Sequence, residues 1–380
     1  MTSVFKKVIL PLGFQANGLS AGLKRKNKLD LALLYSVVPA KASCLFTRNK
    51  ILAAPIIVCK KHLKNNQGFQ AVIANSGNAN CFTGAQGIKD ALAMAASAGS
   101  ALGVKKEAVL VASTGIIGRK LPIDKIKKAM PVLVSGLTES GVDKAKKAIM
   151  TTDTFSKEIT VKFVLGGKTI TCCGIAKGAG MIAPDMATML CFILTDAQIT
   201  QGALNKALQT AVEKSFNCIT VDGCMSTNDT VMVLANGMAG NKLITAGSNF
   251  AVFSSVLNKA CLELAKMIVR DAEGATKFVH IKVIQAKSAK EAKTAALSIA
   301  NSALFKTAMF ASSPNIMGRI TAAIGASGVA VKEQGLRIKY SPLKKKEVNI
   351  EISLGCGKAR AEVYTSDLSY EYVKINAEYN

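Results

Sequence analysis

At 380 residues, 49% hydrophobic and 19% charged, the chain has ample material for one large core or for two domains. No window reads as a membrane-spanning helix, because runs such as Met189–Leu194 are strand-sized and charges interrupt the longer ones. The net charge of +25 raises nucleic acid as a partner, yet only seven of the 49 basic residues are arginine, aromatics are 5% and tryptophan is absent; a solvated lysine-rich surface is therefore expected, with no nucleic-acid and no membrane partner.

In chain order, the opening run to Phe14 has two lysines and a short apolar stretch but no cleavage site, and reads as a first strand, not a signal peptide. A strand is expected at Ile73–Asn75 and an amphipathic helix at Ile88–Ala98. The strand-like run Ala108–Ala112 leads into Ser113–Gly118 (STGIIG), which reads mainly as a structural turn, although such a turn can offer backbone N–H groups to an anion. Pro122 opens a helix near Ile126. Strands follow at Ile159–Leu165 and Thr169–Gly174, joined by a hairpin at Gly166-Gly167. Then come a strand at Met189–Leu194, a helix at Gly202–Ser215 and a strand at Thr230–Leu234. A helix over Ser248–Val269 has Ser248 as its candidate cap. A strand at Val279–Val283, a helix at Lys287–Ser302 and a strand at Val348–Leu354 complete the series. This mixed order, without low-complexity linkers or short repeats, favours a layered α+β fold over a doubly wound sheet.

The ten cysteines include no C-x-x-C. Cys172 and Cys173 are neighbours on a strand and point to opposite faces, while Cys191, Cys218 and Cys261 sit singly in apolar segments, as buried free thiols do. A reducing cytoplasm is the simpler compartment. Only two histidines exist: His62, in the basic Lys60-Lys61-His62, reads as a surface residue, and His280, inside an apolar strand, as a core residue. A histidine triad or a histidine-ligated metal has little support. Leu165–Thr169 (LGGKT) ends like a phosphate-binding loop, but Lys162 stands where its first glycine belongs. Lys177–Leu190 (KGAGMIAPDMATML) is the most unusual stretch, a glycine segment running through Pro184 to Thr188 at the head of an apolar strand. It is open to two readings: a loop entering a buried strand, or a nucleophile. A threonine at a chain N-terminus uses its own α-amine as base, which requires that the Ala187–Thr188 bond be cut.

At this stretch the sequence resembles the ornithine acetyltransferase family, also called bifunctional glutamate N-acetyltransferases. Further blocks are similar in the same order: Ala74–Asn80 (ANSGNAN), Ser113–Gly118, Met150–Thr154 (MTTDT), Ile219–Gly223 (ITVDG), Ser226–Thr230 (STNDT), Val269–Phe278 (VRDAEGATKF) and Tyr372–Tyr379 (YVKINAEY). The resemblance spans essentially the whole chain. It implies a self-processing αββα sandwich of the N-terminal-nucleophile kind with a smaller C-terminal α/β domain from about residue 240. Cleavage between Ala187 and Thr188 would give chains 1–187 and 188–380. The resemblance further implies Thr188 as nucleophile, Thr114 and Gly115 as oxyanion hole, and Thr154, Lys177, Thr188, Glu273 and Asn376 as substrate contacts. The substrates implied are N-acetylornithine and glutamate, with no metal or cofactor and with acetyl-CoA as a possible further donor substrate. The implied assembly is a heterotetramer of two copies of each fragment. Two departures stand out. The sequence runs to Asn380, one residue after Tyr379, where the resemblance leads one to expect a further residue with a terminal hydroxyl at the substrate. The family's P-N-W-G-R block appears as Pro314–Arg319 (PNIMGR), one residue longer and without tryptophan. The competing functions are an N-terminal-nucleophile aminopeptidase or amidase, in which water takes the acyl group, and a basic binding protein without catalysis.

Overall fold

The computed structural model describes residues 2–25, 27–65, 68–183 and 189–378. The chain divides into two compact units, neither of them continuous in sequence. The first comprises Met1–Gly178, Thr188–Ser215 and Ser226–Leu264, and the second Ala179–Ala187, Phe216–Met225 and Ala265–Asn380.

The first unit is built on β1 (Thr2–Phe5), β2 (Phe14–Leu19), β3 (Leu31–Phe46), β4 (Phe69–Asn78), β5 (Val109–Ile116), β6 (Lys157–Leu165), β7 (Lys168–Lys177), β8 (Leu190–Thr195) and β9 (Thr230–Ala235). Its sheet runs β1-β6-β7-β8-β9-β3-β4-β5, with β2 also on β3. The long β3 folds this sheet in two. Its first half pairs with β2 and β4, its second half pairs with β9, and its register against β4 breaks between Tyr35 and Ala40. Pro39 lies in that break, where a missing N–H costs the ladder nothing. The two halves face each other across one core, in which Leu33, Ile73 and Leu110 meet Ile175, Phe192 and Leu234. Helices α1 (Ala54–Asn65) and α2 (Gly84–Leu102) pack on β5, while α3 (Ile123–Ser135) and α4 (Val142–Ala148) pack on β2. Helix α5 (Gln201–Glu213) lies against β3. On the far face of β7 lies α6 (Gly247–Arg270), so close that a Cβ on Gly174 would stand 2.8 Å from Leu264 Cδ1. The layering is therefore helix, sheet, sheet, helix, the expected α+β sandwich.

In the second unit β10 (Phe278–Ala286), β11 (Arg337–Tyr340), β12 (Glu347–Ser353) and β13 (Ala359–Ser366) form a four-stranded sheet ordered β11-β12-β10-β13. Helices α7 (Ala289–Ala300), α8 (Ala303–Ala311) and α9 (Ile316–Gly325) share a core with one face of that sheet through Ile299, Phe305, Ile320, Val283 and Ile352. Helix α10 (Tyr370–Ala377) follows. Ser288 caps α7 by accepting Glu291 N–H at 3.2 Å, the arrangement that a Ser-x-x-Glu start favours.

Several local expectations are corrected. The histidine environments are exchanged: His62 is buried, with Nδ1 2.8 Å from Val109 O, whereas His280 is half-exposed, stacked on Tyr364 and 3.0 Å from Glu362. In α1 the residue spacing turns His62 inward while Lys60 and Lys61 stay outside; on β10 alternation sends His280 to the open face of a sheet covered on one side. Ser113–Ile116 is not a turn but the end of β5. Ser248 lies inside the first turn of α6, which begins one residue earlier. Cys218 is only half-buried, although Cys191 and Cys261 are fully buried. Cys172 and Cys173 do point to opposite faces, and both are buried because helices and the second sheet half cover β7 on its two sides.

Candidate active site

β4 and β5 run parallel and in register up to Ser76 opposite Thr114 and Gly77 opposite Gly115, where Asn78 pairs with both Thr114 and Ile116 and breaks the ladder. Gly115 sits at φ +132°, and a Cβ there would fall 2.4 Å from Gly77 C and 2.6 Å from Asn78 N. Only glycine allows the two strands to approach this closely. A buried amide network fixes the surroundings. Ser113 Oγ donates to Asn75 Oδ1 at 2.6 Å, and Asn228 Nδ2 donates to Ser113 O at 2.8 Å and to Ala79 O at 2.6 Å. Thr114 is buried, and its hydroxyl accepts from Lys177 Nζ at 3.3 Å. The hydroxyl proton of Thr114 is thereby turned to other acceptors, the chemistry wanted of an oxyanion donor. The structure thus brings together Thr114, Gly115 and Lys177.

Lys177 ends β7, and the next residue is held by a carboxylate that sequence reasoning assigned no role. Asp153 Oδ1 accepts from Gly178 N at 2.7 Å and from Lys157 Nζ at 2.6 Å, and its Oδ2 accepts from Thr151 N at 2.8 Å. The side chains of Asp153 and Lys157 are both 0% exposed. Burial opposes ionisation of Asp153, but the ammoniums of Lys157 and Lys177 and the Gly178 N–H outweigh it and hold the carboxyl at about 2. One buried carboxylate therefore ties the end of β7 to the loop carrying Thr154. Thr154 itself is exposed and lines a cavity of about 500 Å³ with Lys24, Lys28, Lys147 and Met150.

Ala187 and Thr188, the expected cleavage bond and nucleophile, lie outside the described residues. Immediately after them Met189 N donates to Asp229 Oδ1 at 3.1 Å, and Thr230 N donates to Met189 O at 3.1 Å. Asp229 is fully buried, and its Oδ2 makes no hydrogen bond among the described residues. Burial pushes this carboxyl well above the ordinary range; the Met189 N–H and the nearby hydroxyls of Thr47 and Ser226 only partly oppose the shift.

In the second unit, residues Ala179–Ile182 are clamped by Asp222, whose Oδ2 accepts Met181 N at 2.6 Å and whose Oδ1 accepts Ile182 N at 2.9 Å. Met181 takes φ +56°, an uncommon conformation that these bonds hold in place. Burial and the Asp222 carboxylate raise the Tyr372 phenol well above its ordinary value, so it stays protonated and donates to Asp222 Oδ2 at 3.2 Å. Glu273 N donates to Ala179 O at 3.0 Å, and Glu273 Oε2 accepts from Asn376 Nδ2 at 2.8 Å. The Glu273 carboxylate lies over Gly180, where a Cβ would come within 2.2–2.6 Å of it. Glu273 and Asn376, 103 positions apart, thus form one polar pair. Asp222 and Asp229 were visible only as members of short sequence blocks; nothing in the pattern marked them as anchors. Asp153 and Lys157 did carry a signal, an acid and a base four apart, but only the loop between them makes that spacing a contact.

No group of three His, Cys, Asp or Glu side chains gathers as a metal cage among the described residues. Burial raises the Cys59 and Cys172 thiols to about 12, leaving them unreactive as nucleophiles.

The ArgJ family model matches residues 15–344 and 340–380 of the chain. The arginine biosynthesis bifunctional protein ArgJ of Caldanaerobacter subterraneus subsp. tengcongensis is 45% identical over 398 residues, covering 98% of both chains. The glutamate N-acetyltransferase of Methanocaldococcus jannaschii is 43% identical over 403 residues, again covering 98% of both. Among solved structures, the ornithine acetyltransferase of Mycobacterium tuberculosis, complexed with ornithine, is 36% identical over 48% of this chain and 98% of that chain, with a TM-score of 0.45.

Proposed function

The chain belongs to the ArgJ family, and from that premise we propose how its residues carry out the acetyl transfer of this arginine-biosynthetic acyltransferase. The enzyme is a glutamate N-acetyltransferase that takes its acetyl group from N-acetylornithine. The observation that carries this reading is similarity at about 45% identity over 98% of the chain.

The Thr188 hydroxyl attacks the Ala187 carbonyl; the C–N bond breaks, the amine takes the proton, and water hydrolyses the resulting ester. The second fragment then begins with Thr188, whose α-amine serves as base for its own hydroxyl. Thr188 Oγ attacks the acetyl carbonyl of N-acetylornithine, and the oxyanion is received by the Thr114 hydroxyl and the Gly115 N–H. Ornithine leaves, glutamate enters, and its amine attacks the acetyl-threonine. The burial of Thr114 and Lys177 supports these roles, since preorganised donors act more strongly away from water. Lys177 pairs with the α-carboxylate common to both substrates, Thr154 hydrogen-bonds the substrate backbone, and the Glu273–Asn376 pair receives ornithine's side-chain ammonium. The reaction draws on no cofactor. Two copies of each fragment form the assembly, and the compartment is the cytoplasm, in keeping with ten unpaired cysteines.

Denaturing electrophoresis with N-terminal sequencing tests the scheme. Two fragments are expected, the second beginning Thr-Met-Leu-Cys, with ornithine release that requires glutamate. Thr188→Ala should remain one uncut, inactive chain. An active uncut variant, or steady ornithine release without glutamate, would overturn the transfer mechanism.

A further inference from the structure

The two substrates share an α-amino-acid backbone but carry side chains of opposite charge, and a site for one repels the other unless a second charged group is provided. Glu273 with Asn376 suits a cation. The cavity beside Thr154 has the opposite character. Lys24, Lys28 and Lys147 line it, and its one acidic residue, Asp153, is already matched by Lys157. Lys24 is built in: its Nζ donates to Leu29 O at 2.9 Å and to Met150 O at 2.6 Å. Burial lowers it to about 8 against the pull of Asp30, with Lys177 adding to the lowering, so it holds its place while still mostly charged near pH 7. Lys28 and Lys147 stand at the exposed rim and make no ion pair with a described residue. At about 500 Å³ the cavity has room for a small dicarboxylate beyond what Thr154 alone would contact.

We infer that this lysine-lined cavity is the subsite for the acceptor's side-chain carboxylate, with Lys28 and Lys147 as the residues that make the acceptor glutamate. The inference rests on the transfer reading above and names what that reading leaves open, the group that recognises the second carboxylate. Lys24 supports the cavity wall, and the two rim lysines supply charge that a carboxylate can reach without displacing existing bonds.

The test is the double variant Lys28→Gln/Lys147→Gln, chosen because both side chains are exposed and removing their charge leaves the core untouched. In ping-pong kinetics each substrate has its own KM. The KM for glutamate should rise on the order of tenfold, as expected for losing charge-assisted contacts at a partly solvated site, while the KM for N-acetylornithine and the fragment pattern stay the same. Added salt should raise the glutamate KM of the unmodified enzyme more than that of the variant. An unchanged glutamate KM overturns the proposal, as does an equal rise in both KM values, which would mark general anion attraction. Calorimetry on the uncut Thr188→Ala chain reads the same subsite without turnover. There Lys28→Gln/Lys147→Gln should weaken glutamate binding about tenfold and binding of free glutamine little; equal weakening of both ligands, or none, refutes the subsite even if the transfer reading has failed on its own test.

Discussion

Replacing Asp153 by asparagine keeps the size of the side chain and an acceptor for Gly178 N–H but removes the charge that answers Lys157. Both side chains are 0% exposed and 2.6 Å apart, so the variant removes the carboxylate that faces a buried ammonium. The carboxyl at about 2 in the folded chain against about 3.9 in the unfolded one corresponds to roughly 3 kcal/mol. Removing one partner of a buried pair brings the expected loss to about 3–5 kcal/mol. For a unit of this size that is a fall in Tm of about 6–20 °C. Because the folded pKa is depressed, the contribution is fully present above pH ~4 and disappears as pH falls through about 2. The gap between the two proteins in a thermal-melt series should therefore be widest at neutral pH and close in strong acid. Adding Lys157→Met should recover much of the loss. A variant melting within two or three degrees of the parent at pH 7 would mean that the pair does not hold the Thr154 loop to β7.

Gly115→Ala forces a Cβ to 2.4 Å from the backbone of Gly77 at φ +132°. A folded protein is expected, since circular dichroism reads a local strain of about 1–3 kcal/mol as a modest drop in Tm, but kcat should fall about 10²-fold as the oxyanion donors shift; normal kcat would remove Gly115 from the hole. Asp229→Asn addresses the raised carboxyl under Met189. A raised folded pKa contributes stability below pH ~3.9 that is lost as pH rises through the folded value. The parent should therefore lose stability relative to the Asp229→Asn variant as pH rises above about 4, and parallel melting curves on the two sides of that pH would contradict the assignment.

Much of the fold was legible because it rests on short-range rules. Apolar periodicity located β7, β8 and α5, and tandem glycine marked the β6–β7 hairpin, with Gly166 at φ +56° and Gly167 at +77°. The two histidines show the limit. The neighbours of His62 are basic and those of His280 apolar, yet α1 turns His62 inward and β10 turns His280 to an uncovered sheet face. Similarly Ser113–Ile116 has the composition of a turn, but its parallel partner β4 keeps it in a strand.

By itself the sequence determined the family, through blocks spread along the whole chain. It also determined the α+β class, because the order of helical and strand periods is local information. Tertiary structure alone decided which charges matter to one another: that Asp153 serves Gly178 and Lys157, that Asp222 clamps a segment 40 residues before it, and that Asn376 meets Glu273. The reason is physical. Hydrophobic periodicity depends on a residue's neighbours in the chain, whereas a buried charge is set by whichever polar groups the fold carries to it, and those come from any distance along the sequence.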